Sequence, residues 1–260
     1  MQIQDFPPFM LSAHNVSKSF GGFQALNGCS IEIGAQSITG IIGPNGAGKS
    51  TLFNIFGGLF APDSGTLAFD GHDIGGRRPD QLARLGLVRT FQISRELGEL
   101  TVLENMLLAA PAQGGEHVWR NFFAARAVRA EQEEAIGRAR GLLEQVSLWP
   151  LANEPARNLS GGQKKLLEIS RALMLAPKLI LLDEPTAGVS PLMSKTLGEV
   201  IAKLRAGGLT LVIIEHDMDV IAELCSPIYV LAEGRTLMSG TYNEVVSNRD
   251  VMHAYLGKVA

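Results

Sequence analysis

A short stretch at residues 37–42 that reads as a buried strand passes into a helix-forming stretch at 49–56 through Gly43-Pro44-Asn45-Gly46-Ala47-Gly48-Lys49-Ser50. That junction restricts the fold more than any other feature of the chain. A buried strand that turns straight into a helix belongs to an α/β architecture, with strands lying parallel and helices covering them. The glycines let the connecting backbone take conformations closed to other residues, so that several N–H groups face one point. The helix N-terminus adds partial positive charge there, and Lys49 adds a full one. The pattern is GxxxxGK[ST], a cradle for phosphate. Within it, Ser50 is placed to ligate Mg²⁺ through its hydroxyl and Thr51 to reach an α-phosphate.

A phosphate cradle needs carboxylates beside it, and Leu179-Ile180-Leu181-Leu182-Asp183-Glu184 supplies two. Four apolar residues bury a strand and deliver both acids at its C-terminal end, where open α/β sheets bind ligands. Asp183 suits Mg²⁺ held through water, since that ion keeps much of its hydration. Glu184, one residue on, emerges on the other side of the chain and can orient an attacking water. A solvated acidic loop is the plain alternative; the strand before the pair and the phosphate loop elsewhere argue against it. His216, in Glu215-His216-Asp217 just past the apolar run 211–214, ends a neighbouring core strand from which it can reach a γ-phosphate. His14, His72, His117 and His253 have no such setting and receive no role. Ser160-Gly161-Gly162 precedes a helix predicted over 163–175 and offers a second anion site: a serine N-cap, two glycines that admit close backbone approach, and free N–H groups. An ordinary glycine-rich cap would explain the glycines, but not the Leu159 and Gln163 that flank them.

The rest of the chain supplies the scaffold. Its 260 residues fit one large or two small domains with a substantial core. Alternating apolar positions predict paired strands at 10–16 and 26–33 around a turn at Gly21-Gly22, a hairpin strand at 66–69, and a strand at 85–91 ending at Gln92. From 101 to 148 the composition shifts to Ala, Leu, Glu, Gln and Arg, with Ala135, Ala139, Leu142, Leu143 and Val146 at helical spacing. Within it, residues 111–131 carry Trp119, Phe122 and Phe123, which either dock a partner or pack the insert onto its own domain. Apolar runs at 179–182, 211–214 and 228–231 then resume a βα alternation, and 242–256 closes as short helices. The prediction is an α/β P-loop NTPase core with a mainly parallel sheet, an N-terminal antiparallel β subdomain and an inserted α-helical subdomain. Residues 1–92 and 177–260 form the core with the β subdomain, and 93–176 the mainly helical part.

A net charge of −3 gives no reason to expect nucleic-acid binding. Cys29 and Cys225 lie far apart with no CxxC spacing; they read as buried thiols in a reducing compartment, with a disulfide as the alternative. The first residues carry Asp5 and two prolines, unlike a targeting segment. The apolar runs are of strand length, far short of the ~20 residues a membrane helix needs. A soluble chain is expected, brought to any membrane by other subunits.

Together these residues resemble the nucleotide-binding subunits of ABC transporters, and the likeness spans nearly the whole chain. Leu159-Ser160-Gly161-Gly162-Gln163 is that family's signature, LSGGQ. The resemblance implies ATP and Mg²⁺ as cofactors. It implies that Gly43, Pro44, Asn45, Gly46, Ala47, Gly48, Lys49, Ser50 and Thr51 hold the nucleotide and that Phe20 stacks on adenine. Gln92 would sense metal and water, joining Ser50 and Asp183 around the metal, and Ala187-Gly188-Val189-Ser190 would be the D-loop. Ser160, Gly161 and Gly162, with Gln163, would contact the γ-phosphate of ATP held by a second subunit. Phe20 is identified by aromatic type alone, and a core aromatic is its competing role. The D-loop departs from the family at Val189-Ser190, where many relatives carry Leu followed by Asp or Asn; a serine still hydrogen-bonds across an interface.

Finer features resemble one branch, the branched-chain or hydrophobic amino-acid uptake systems. They are Val88-Arg89-Thr90-Phe91-Gln92, Leu100-Thr101-Val102-Leu103-Glu104-Asn105, the insert after Ala110, Ile214-Glu215-His216-Asp217-Met218, and the ending Ala254-Tyr255-Leu256-Gly257. This implies an ATP-hydrolysing subunit, with Lys49, Gln92, Glu184 and His216 catalytic, on the cytoplasmic face of the inner membrane. Its partners would be a second ATPase, usually a non-identical homologue, two membrane permease subunits and, indirectly, an external solute-binding protein, with no nucleic acid. Residues 92–100 would be the lever against a membrane-subunit helix. The nearest alternatives are urea-type uptake ATPases and lipopolysaccharide-export ATPases, the latter generally without so long an insert. A soluble ABC ATPase of DNA repair or translation would bring coiled coils, two ATPase units or zinc-binding cysteines, none of which is seen. A scaffold that binds nucleotide without catalysis would fit better without Glu184 or Lys49.

Overall fold

The computed structural model describes residues 9–90, 97–111 and 125–256. β1 (Leu11–Phe20) and β2 (Phe23–Ile33) pair antiparallel from Leu11↔Ile33 to Phe20↔Phe23 around Gly21-Gly22, both at positive φ. β3 (Ile38–Ile42) is buried at every residue and leads through the glycine-rich loop into α1 (Lys49–Phe56). β4 (Ser64–Phe69) and the short β5 (His72–Asp73) form a hairpin. α2 (Pro79–Leu85) starts on a proline and stops at Gly86, whose left-handed φ of 99° ends the helix before β6 (Leu87–Arg89). The strand predicted from residue 85 is therefore shorter at its start, because the glycine there caps a helix.

α3 (Val102–Leu107) and α4 (Ala125–Gln145) follow, then the signature helix α5 (Gly161–Leu173). β7 (Leu179–Asp183), α6 (Pro191–Ala206), β8 (Thr210–Ile214), α7 (Met218–Leu224), β9 (Ile228–Ala232), β10 (Arg235–Gly240), α8 (Tyr242–Ser247) and α9 (Arg249–Leu256) complete the chain order. β10 was not expected. It is an edge strand that alternates exposed and half-buried residues, so it carries no apolar run. Its signal was the turn Glu233-Gly234, both at positive φ, which reverses the chain after β9.

The chain divides into two compact units, Met1–Arg89 with Lys178–Pro185 and Gly198–Ala260, and Thr90–Pro177 with Thr186–Leu197. The first holds both sheets. One is antiparallel, in the order β2-β1-β4-β5; the other runs β10-β9-β3-β8-β7-β6, parallel throughout except for β10. β3, β7 and β8 are buried end to end, as expected of parallel strands covered on both faces. Phe53, Phe56 and Phe69 are the largest side chains of this unit's core, packed with Leu11, Ile31 and Leu52. Cys29 and Cys225 are buried free thiols. Burial pushes Cys225 up to about 12 and raises Cys29 as well, which makes both poor nucleophiles.

The second unit is helical. Thr101 caps α3 in a reciprocal box with Glu104: the Glu104 N–H donates to Thr101 Oγ1 at 3.1 Å and the Thr101 N–H to Glu104 Oε2 at 2.7 Å. Asn105 is fully buried and ties down the approach to that helix. Its amide donates to the carbonyls of Leu97, Leu100 and Thr101 and accepts from the Leu97 N–H. The Leu100 to Asn105 motif is thus a folding device for this unit. Trp119, Phe122 and Phe123 lie outside the described residues. Among the described residues, no helix is long and apolar enough to cross a membrane.

Candidate active site

The sheet order β3-β8-β7 makes three strands neighbours, and their carboxyl ends carry the three sequence motifs. The register brings those ends level, with Ile41 and Asp183 both paired to Ile214. The glycine-rich loop leaves β3, Asp183-Glu184 leaves β7, and His216 follows β8. Parallel pairing alone places these residues, far apart in sequence, along one edge.

Two of the loop's glycines are required by close backbone approach. Gly43 has φ 151°, and a Cβ there would stand 2.2 Å from the Leu231 carbonyl oxygen of β9. Gly48 has φ 98°, and its Cβ would stand 2.6 Å from the Ala25 oxygen of β2. By contrast, nothing lies within 4 Å of a Cβ built on Gly46. The loop is also braced from behind by the β9–β10 turn: the Gly234 N–H donates to the Ala47 carbonyl at 3.1 Å, and the Asn27 N–H donates to the Gly234 carbonyl at 2.8 Å. This brace was missed from sequence, because Glu233-Gly234 is an ordinary turn dipeptide until the sheet order sets it against the loop.

Lys49 is buried, and its Nζ donates to the carbonyls of Gly43 at 2.6 Å and Pro44 at 3.0 Å. Burial holds its pKa below that of ordinary lysine, outweighing the opposing attraction of Glu184 and Asp183. Ser50, Asn45 and Gly46 are exposed and Thr51 is half-buried, so the loop's outer rim is open.

Asp183 is 2% exposed, and its Oδ2 accepts from Arg89 Nη2 at 2.9 Å. Glu184 takes a left-handed φ of 48° immediately after the strand, a conformation costing about 1–3 kcal/mol for a non-glycine residue. Its N–H still donates to the Ile214 carbonyl at 2.9 Å. The turn sends the two carboxylates to different partners, Asp183 to Arg89 and Glu184 to His216, whose Nε2 lies 3.0 Å from Glu184 Oε1. A strand-end carboxylate thus meets the histidine that follows the neighbouring strand, a contact the sequence does not announce.

Phe20 is 41% exposed, which rules out a core role. Its ring meets that of Phe60 edge-on at 5.2 Å, and Lys18 Nζ lies 5.6 Å from its centroid. In the signature, α5 begins two residues earlier than predicted, so Gly161 and Gly162 form its first turn. Ser160 caps it: the Gln163 N–H donates to Ser160 Oγ at 3.3 Å and the Ser160 N–H to Gln163 Oε1 at 2.9 Å. Those two N–H groups are thus taken rather than free. Gly162 is buried, and a Cβ there would stand 2.0 Å from Met193 Cγ, so its close approach is to α6 of the same unit. Ser160 and Gly161 are the exposed residues of the motif. At the D-loop, the Met193 N–H donates to Ser190 Oγ at 3.4 Å, a local helix-start contact that serine supplies. Gln92 and most of the 92–100 lever lie outside the described residues.

A glycine-rich phosphate loop between β3 and α1, with carboxylates at the end of a parallel neighbour, is the arrangement of a P-loop nucleotide-binding protein. Residues 26–187 match the family model described as ABC transporter. The chain is 41% identical over 248 residues, 95% of each chain, to a probable branched-chain amino acid transport ATP-binding protein LivG of Archaeoglobus fulgidus. It is 40% identical over 250 residues, 96% of this chain and 98% of the relative, to the high-affinity branched-chain amino acid transport ATP-binding protein LivG of Salmonella typhimurium. Its fold is similar to the crystal structure of the ADP conformation of MJ1267, an ATP-binding cassette of an ABC transporter, with a TM-score of 0.83 and 38% identity over 96% of this chain and 99% of that one. The chain belongs to the ABC transporter family, as its ATP-binding ATPase.

Proposed function

We propose that this chain hydrolyses Mg²⁺-bound ATP to energise the uptake of branched-chain or other neutral amino acids through separate membrane subunits. The observation that carries the chemistry is the level alignment of the phosphate loop, Asp183-Glu184 and His216 on three adjacent strand ends. The solute class is supported by the LivG relatives, ATP-binding proteins of branched-chain amino acid transport, which this chain matches over nearly its whole length.

Residues 43–51 hold the triphosphate through backbone N–H groups, with Lys49 leaving the loop carbonyls to meet the β- and γ-phosphates. Phe20 offers an exposed ring face to adenine. The metal donors available are the Ser50 hydroxyl and the Asp183 carboxylate, with Gln92 as the third proposed; an all-oxygen set suits Mg²⁺. When bound, Mg²⁺ supplies charge neutralisation at the phosphate oxygens. Glu184 orients and polarises the attacking water, and His216, held against Glu184, faces the γ-phosphate. Ser160 and Gly161, exposed at the start of α5, serve the ATP of a second subunit, a non-identical homologue in this branch. The chain would then sit at the cytoplasmic face of the inner membrane under two permease subunits, with an external solute-binding protein feeding them. Purifying the chain with its native membrane complex tests this. A second ATPase and two permeases are expected to accompany it, and recovery of the chain without any membrane protein would count against the reading.

A pH dependence follows from Lys49. Bound phosphate favours the charged amine, while burial in the free protein disfavours it. Below the free protein's lowered pKa the amine is already charged, so affinity for ATP is level. As pH rises through that pKa, binding must take up a proton and affinity falls, at a lower pH than an ordinary lysine near ~10.4 would set. Calorimetric titration with a non-hydrolysed ATP analogue at successively more alkaline pH should show this decline together with proton uptake.

A further inference from the structure

Arg89 ends β6 as a nearly buried cation whose two terminal nitrogens reach different elements. Nη2 donates to Asp183 Oδ2 on β7 at 2.9 Å, and Nη1 donates to Asn54 Oδ1 on α1 at 2.6 Å. Phe53 of α1 lies under the guanidinium, its centroid 5.7 Å from Cζ. Room for the side chain comes from Gly57, where a Cβ would approach Arg89 Cδ to 3.0 Å. Among the described residues, Arg89 Nε is buried with no hydrogen-bond partner, which costs stability. Buried ion pairs are weak stabilisers in any case, so stability alone is a poor account of this arrangement.

The elements joined are telling. α1 carries Ser50 and β7 ends on Asp183, the described residues assigned above as metal donors. We propose that Arg89 is a positioning residue that sets the spacing between these two donors, using its planar fork to hold Asp183 in one orientation against α1. This rests on the reading of the site as one for ATP and Mg²⁺. Lysine cannot replace the fork, because a point charge does not span Asn54 and Asp183 together.

The test compares Arg89→Lys, which keeps the charge, with Asn54→Ala, which keeps the ion pair and suits a helix. Affinity for adenylyl imidodiphosphate is measured by calorimetry with and without Mg²⁺, alongside melting temperatures. Metal-free affinity should stay within about threefold of wild type, while the gain on adding Mg²⁺ falls about tenfold in Arg89→Lys and by a smaller factor in Asn54→Ala, as outer-shell partners of metal ligands behave. A wild-type magnesium gain in Arg89→Lys overturns the proposal. So does an equal loss of metal-free and metal-bearing affinity, which marks general damage. Should Arg89→Lys fail to fold, Asn54→Ala decides by the same two outcomes. Wild-type protein that binds the analogue without any magnesium effect would instead defeat the underlying reading of the metal site.

Discussion

Replacing Glu184 by Gln should cut ATP turnover by at least about 100-fold while leaving ATP binding intact, the loss expected when a general base is removed. The amide has the carboxylate's shape and can still accept from His216 Nε2, so the 3.0 Å contact survives the change. What disappears is the charge that polarises water and receives its proton. The left-handed backbone at residue 184 is unaffected, since Gln tolerates it no worse than Glu. With ATP bound and uncleaved, the contacts that only the closed pair of subunits offers should persist. The variant is therefore expected to accumulate as an ATP-dependent dimer, visible by light scattering, whereas wild-type protein returns to the open state as ATP is consumed. Turnover unchanged in Glu184→Gln would remove Glu184 from the mechanism.

Gly43→Ala should be the most damaging single-methyl change in the phosphate loop. The added Cβ would sit 2.2 Å from the Leu231 oxygen and 3.1 Å from its carbonyl carbon, and both are backbone atoms of a core strand that cannot rotate aside. φ of 151° adds strain for any residue with a side chain. Overpacking and strain together cost about 2–6 kcal/mol. Relief by moving the loop displaces the N–H groups from the phosphates, and a shift of about 1 Å costs roughly 100-fold in rate. Gly46→Ala is the control: it meets open space and carries only the strain of a φ of 80°. Calorimetry should show a melting temperature lowered by several degrees in Gly43→Ala and a much smaller change in Gly46→Ala. Equal melting temperatures would mean that the contact with β9 does not hold the loop.

These two positions also show what a sequence discloses. The phosphate loop was legible because its glycines, lysine and flanking periodicities belong to one local unit whose chemistry follows from spacing. Leu179 to Glu184 was legible for the same reason, a buried strand that ends in acids. The brace of Gly234 on Ala47 was not, since it depends on which strand lies beside β3, and sheet order is a property of the whole fold. Arg89 marked a branch of the family in the sequence; its grip on Asp183 and Asn54 needed three elements in place. From sequence, Gly162 suggests close backbone approach of some kind; what its missing side chain makes room for here is Met193, a contact no local pattern announces. Phe20 shows the converse: an aromatic at the end of a strand is equally consistent with core or surface, and only its exposure separates the two.

Solute-stimulated ATP turnover decides whether this ATPase drives amino-acid uptake. The chain would be reconstituted in liposomes with its partner ATPase and permeases, and ATP hydrolysis measured as solute-loaded external binding protein is added. Leucine, isoleucine, valine or another neutral amino acid should raise turnover several-fold, and Glu184→Gln should abolish the response. Turnover that ignores every neutral amino acid, or that rises with urea instead, would contradict a role in amino-acid uptake.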